Sequence, residues 1–274
     1  MSALFLLLAL VADPPQMSQY LRGTHQPGYV LAFAGPTTAY AAPDTASRRT
    51  ATYQPGDTLL IIGATDHIHI RNGLHTPWYR ITDPADPAAS EAYVPGIELA
   101  AAALPLSAPA NSTLLYAVTG YVHDDHSFPS EARLVRDGRT LASVHMDAMA
   151  TMMDERYRYT LALHEEDPAG FDGLQWLGRI EFIYEACGIK NGSAYLAWNG
   201  RELTTGPVTF WVAEAGLFDY SQRAVLPSDS GGIPNQFSVI ATAEAYEENT
   251  IETDTTTYTW DGVNFDLESD TDSE

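Results

Sequence analysis

One cysteine and one lysine stand among 274 residues. With Cys187 alone, no intramolecular disulfide can form and no cysteine-based zinc cluster can assemble. Its place in EFIYEACGIKNG, after an apolar run and before a turn, suits a packed or merely tolerated thiol better than a nucleophile. Lys190 is the single lysine; the chain has 14 basic residues against 36 acidic ones, a formal net charge of -22. A surface this negative repels phosphate, which argues against a nucleic-acid partner and against docking on anionic lipid. It remains compatible with solubility at high salt, or with attraction of cations or basic partners.

Long apolar runs are also missing. The run in SALFLLLALVADPP covers about ten residues, half the ~20 that a membrane-spanning helix needs. It suits the apolar region of a secretory signal peptide over 1–12, cleaved after Ala12, and so a secreted or periplasmic protein. No Lys or Arg precedes it, and a buried N-terminal strand is the competing reading. No Cys follows, which excludes a lipoprotein signal. Helical periodicity is nearly absent too: only HMDAMATMMDERYR, 145–158, spaces its methionines as a helix would.

What the chain does have is strands. Residues 13–35, rich in Pro, Gln and Gly, read as a lead-in or tether. From Thr38 short apolar runs alternate with turn residues: 58–62, 67–70, 78–81 and 92–94 are strand candidates. Gln54-Pro55-Gly56-Asp57, Arg71-Asn72-Gly73 and Asp83-Pro84 punctuate them. Short strands at this density predict a small five-stranded barrel. The segment AAAALPLSAPAN, small and Pro-containing, reads as a linker over 102–111. Residues 112–274 are again strand-rich, with tight-turn signals at Arg136-Asp137-Gly138, Trp198-Asn199-Gly200 and Trp260-Asp261-Gly262. They predict a larger antiparallel β domain, a sandwich or a bent sheet, ending in an acidic tail. The fold class is therefore all-β in two parts, with the barrel detached from the larger domain.

The first part resembles a known family. AYAAPDTASRRTATYQPGDTLLIIG is similar to the opening of a bacterial Src homology 3 domain. Trp78-Tyr79-Arg80-Ile81 matches that family's W-x-K-V strand, and Tyr93-Val94-Pro95-Gly96 its closing segment. The resemblance covers 36–101. It implies a five-stranded barrel that binds peptides, either cell-wall or Pro-rich, and makes Tyr40, Trp78, Tyr79 and Tyr93 the ligand-binding candidates. Adjacent strand residues face opposite ways, so Trp78 and Tyr79 cannot both line one groove; one packs inward and the other is offered outward. The second part resembles the C-terminal region of secreted hypothetical proteins that carry such domains, a likeness that implies no activity.

Four constellations could carry chemistry. Asp229-Ser230-Gly231-Gly232 matches the nucleophile segment of chymotrypsin-like proteases, but no T-A-A-H-C-like segment precedes it, and it is ordinary turn chemistry. His67 and His69 alternate on one strand and could share a metal with His75 or Asp66, or simply be solvated. In His123-Asp124-Asp125-His126, the trio His123, Asp125 and His126 could hold a divalent cation or do acid–base work; His164-Glu165-Glu166-Asp167 is a weaker version. Neither DPAGFDG nor the tail DLESDTDSE reproduces a calcium loop. Nothing in the sequence calls for a cofactor. The expectation is an exported, non-enzymatic binding protein. A cell-envelope hydrolase whose second domain is catalytic and a scaffolding protein without a ligand are the alternatives.

Overall fold

The computed structural model describes residues 26–85, 90–122, 128–146, 158–165, 170–184, 186–246 and 250–268. They form an all-β protein of three antiparallel sheets. The first sheet holds β1 (Gly28–Leu31), β2 (Thr37–Tyr40), β3 (Arg49–Tyr53), β4 (Thr58–Arg71), β5 (Leu74–Thr82) and β6 (Ala92–Pro95), in the order β1-β4-β5-β6-β2-β3. A short 3-10 turn, Gly96–Glu98, follows β6, and Leu99 bridges back to Ala32. The sheet thus curls into a half-barrel around Leu59, Ile61, Tyr79, Ile81 and Val94. Its sixth strand, β1, comes from the segment that composition marks as a lead-in, because Tyr29 and Val30 find backbone partners in Leu60 and Leu59.

The second sheet holds β7 (Ala102–Leu106), β8 (Ser112–Val118), β9 (Ser130–Arg136) and β10 (Arg139–Met146), in the order β10-β9-β8-β7. The segment predicted as a linker therefore carries β7, which pairs with β8 along its whole length. Asp137 and Gly138, both with positive φ, make the predicted tight turn between β9 and β10. The predicted helix 145–158 contributes His145 and Met146 to the end of β10 and Arg158 to the next strand; its remainder lies outside the described residues.

The third sheet runs through eight consecutive strands: β11 (Arg158–Glu165), β12 (Trp176–Ile183), β13 (Asn191–Trp198), β14 (Leu203–Glu214), β15 (Phe218–Val225), β16 (Gln236–Ala245), β17 (Thr250–Trp260) and β18 (Phe265–Leu267). Its front face at β12–β13 packs on the second sheet: Trp176, Ile180, Phe182 and Leu196 meet Leu114, Tyr116 and Leu134. The back face of the same strands, Leu177, Tyr195 and Ala197, packs on Phe237, Val239 and Trp260 from β16–β17. The second half is accordingly a sandwich whose larger sheet also bends onto itself.

The half-barrel is not detached from this sandwich. Leu115, Ala117 and Val135 on the outer face of the second sheet share a core with Phe33 and Ala100. That burial on both faces explains why β8 reads as a continuous apolar run rather than an alternating one. A second seam joins the β4–β5 turn to the segment after β8. Tyr121 N–H donates to Asn72 C=O at 2.9 Å, and Asn72 Nδ2 donates to Thr119 C=O at 3.1 Å. Gly73 has φ +73°, and a Cβ there would lie 2.5 Å from the Tyr121 carbonyl oxygen, so both backbone conformation and space demand glycine.

Arg133 locks the first seam. Its Nε and Nη2 donate to the two carboxylate oxygens of the buried Glu131 at 2.7 and 2.8 Å, and Nη1 donates to Phe33 C=O at 2.8 Å. The guanidinium also lies 4.3 Å over the Phe33 ring. Removing the arginine leaves a buried carboxylate without its partner. Arg133→Met should therefore lower stability by about 3 kcal/mol, read as a shift of the urea midpoint. The double variant Arg133→Met/Glu131→Leu should recover much of that loss.

Candidate functional site

An open cleft of about 470 Å³ lies on the outside of the half-barrel. One wall is residues 42–45 of the β2–β3 hairpin, the other is 67–70 of β4, and Trp78 closes the floor.

Strand alternation puts Trp78 there. On β5, Tyr79 and Ile81 enter the barrel core opposite Val94 and Ala92, so Trp78 must project from the other face. Tyr40 packs edge-on against it at 5.6 Å between ring centres, and His69 does the same at 5.5 Å. The indole is only 2% exposed; it is a fixed floor rather than a protruding handle. Of the paired aromatics, then, Tyr79 packs inward as the alternation rule requires, while Trp78 faces out yet is covered by its neighbours.

The β4 wall is made by a bulge. Ala64 pairs with Tyr79 and Ile68 with Pro77, so Thr65, Asp66 and His67 stand opposite Trp78 alone. The extra residues push the strand outward over the indole, and Thr65 Oγ1 accepts the His67 N–H at 3.2 Å to hold the bend. The opposite wall is braced from within. Asp44 Oδ1 accepts Ala46 N–H at 2.9 Å, Asp44 C=O accepts Ser47 N–H at 3.0 Å, and Ser47 Oγ donates to Ala42 C=O at 3.1 Å. Both walls are thus largely preformed, as small-ligand and peptide sites tend to be.

The candidate residues divide accordingly. Trp78 lines the cleft, whereas Tyr40 is buried against it without lining the cleft. Tyr93 pairs with both Tyr40 and Arg80 and so shares the outer face, half-buried, without lining the cleft. Tyr79 is in the core. His67 and His69 both line the cavity, as do Ile68 and Ile70, and among the described residues no three His, Cys, Asp or Glu side chains come together as a metal site. His123, Asp125 and His126 lie outside the described residues. The wall residues Ala42, Pro43 and Thr45 escaped sequence reasoning; the only signal was the turn composition of APDTAS.

The protease-like tetrad is a turn. Asp229 Oδ2 accepts Leu226 N–H at 2.9 Å and Asp229 C=O accepts Gly232 N–H at 2.9 Å, while Ser230 is exposed. Cys187 is exposed. No family model, curated protein or solved structure matches the chain.

Burial, with a smaller contribution from the Arg71 guanidinium, pushes the His69 imidazole below the ordinary histidine value of 6.5. Because the folded value is lowered, His69 adds stability that is complete above the ordinary value and is lost as pH falls below it. In an NMR titration His69 should protonate below the ordinary histidine range. His69→Asn should flatten the decline of the thermal midpoint on the acid side of that range; an unchanged decline would contradict the assignment.

Proposed function

We propose that this chain is an exported, non-enzymatic binding protein whose N-terminal half-barrel is a bacterial Src homology 3-like module gripping an extended peptide in the cleft over Trp78. The observation that carries the reading is the aromatic floor between two braced walls. Its volume of about 470 Å³ falls within the range of sites that enclose small ligands or a few peptide residues. An open cleft whose walls are set by a buried indole suits the rigid, extended backbone of Pro-rich or cell-wall peptides, which lose little entropy on docking. The module reading gains support from the strand positions. Trp78–Ile81 lies in β5, Tyr93 and Val94 in the neighbouring β6, and Gly56-Asp57 in the turn before β4.

The cleft offers a carboxylate, Asp44, and two imidazoles as polar contacts for a peptide backbone. The half-barrel shares a core with the second sheet, so the whole chain is the object to test. Full-length protein should be retained on resin bearing peptidoglycan fragments or Pro-rich peptide. His69→Ala and Asp44→Ala should each weaken retention several-fold in protein that circular dichroism shows to be folded at the assay temperature. A parent that flows through both resins, or variants retained as well as the parent, would reject the reading.

A further inference from the structure

The outer edge of β17 is a second place where the fold is open. β17 pairs with β16 from Thr250 to Thr259. On its other side β18 pairs only with Tyr258, Thr259 and Trp260, and Glu268 N–H adds one bond to Thr257 C=O. Among the described residues no strand pairs with 250–256 on that side, and 250–255 are all exposed.

The direction of the backbone groups can be read from two bonds. In an antiparallel strand the N–H and C=O of one residue point the same way, and successive residues alternate. Trp260 N–H donates to Asn235 C=O on the β16 side, whereas Thr257 C=O accepts from Glu268 on the outer side. Odd-numbered residues of β17 therefore face outward. Ile251 and Thr253 each present a donor and an acceptor to solvent, and Thr255 an acceptor. The Thr255 N–H donates to Asp254 Oδ1 at 2.8 Å.

Side chains decide what can fill this edge. Glu252 and Asp254 lie on one face of the strand, and Ile251, 68% exposed, lies on the other. Glu244 stands opposite Ile251, and Asp219 stands opposite Glu244. Tyr246 and Leu217, joined by a backbone bond, expose more apolar surface at the same end. A second copy is a poor occupant, because it would bring the same carboxylates into register on a chain of net charge -22. The residues after β18, SDTDSE, repeat the sign. An incoming strand with cations opposite Glu252 and Asp254 and an apolar residue near Ile251 would satisfy backbone and side chains together.

We propose that the free edge of β17, residues 250–256, docks an extended segment of a partner protein in which Lys or Arg alternates with apolar residues. This edge is separate from the cleft, none of whose lining residues it contains.

The test uses the full chain and three labelled synthetic peptides followed by fluorescence anisotropy. One alternates Lys and Val, one has the same composition in two blocks, and one alternates Glu and Val. The alternating Lys peptide should bind saturably, more weakly as salt rises, with the other two far behind. Thr253→Pro removes an outward N–H while leaving the bonds to β16 intact; it should weaken binding about tenfold or more. The pair Glu252→Lys/Asp254→Lys should invert the preference toward the Glu peptide. His69→Ala, in the cleft, should leave all of this unchanged. Absence of saturable binding, or equal binding of the block peptide, would overturn the proposal. So would a charge-reversed pair that keeps the parent's preference, and this last outcome decides the matter even where the proline variant fails to fold.

Discussion

The burial of Tyr79 fixes the position of Trp78. A strand has two faces, and β5 commits one of them to the barrel core through Tyr79 and Ile81. The indole is left on the outer face, where the β4 bulge overhangs it and Tyr40 and His69 hold its plane edge-on. Everything in the cleft depends on that constraint. A one-residue slip of β5 against β6 would place the indole in the core and expose Tyr79, and no wall would then meet a floor.

The same economy runs through the rest of the chain. The second sheet is the shared wall of the molecule: one face packs on the half-barrel and the other on the eight-stranded sheet. Arg133 satisfies the buried Glu131 and a barrel carbonyl at once, so the seam is specified by charge and geometry as well as by apolar area. None of the cleft's lining residues belongs to this seam, which leaves the half-barrel tied to the sandwich with its cleft free.

The all-β class, the tight turn at Asp137-Gly138 and the strands around Trp78 and Tyr93 were legible because each rests on local pattern. Other features depend on partners distant in sequence and left little local trace. GYVL sits among Gly, Pro and Gln yet becomes β1, because the exposed side of β4 needs a neighbour. AALPL has the composition of a linker yet becomes β7, since β8 is buried on both faces and its free edge is covered. Such pairing outweighs local composition. Residues 58–71 read as two strands because Gly63 and Asp66 interrupt the apolar pattern, whereas the chain passes through both as one bulged strand. The interruption was itself the trace of the cleft wall. His67 and His69 both border the cleft, but the opposite wall comes from the β2–β3 hairpin, earlier in the chain and linked to them by no local signal.

The most direct test is an amide and indole NMR titration of the full chain with a Pro-rich peptide and, separately, with a muropeptide. At least one of them should shift the Trp78 indole N–H together with the amides of 42–45 and 67–70, while Tyr79 and the β8–β9 core stay still. Ligand-induced shifts that leave Trp78 and both walls untouched would contradict the placement of the site.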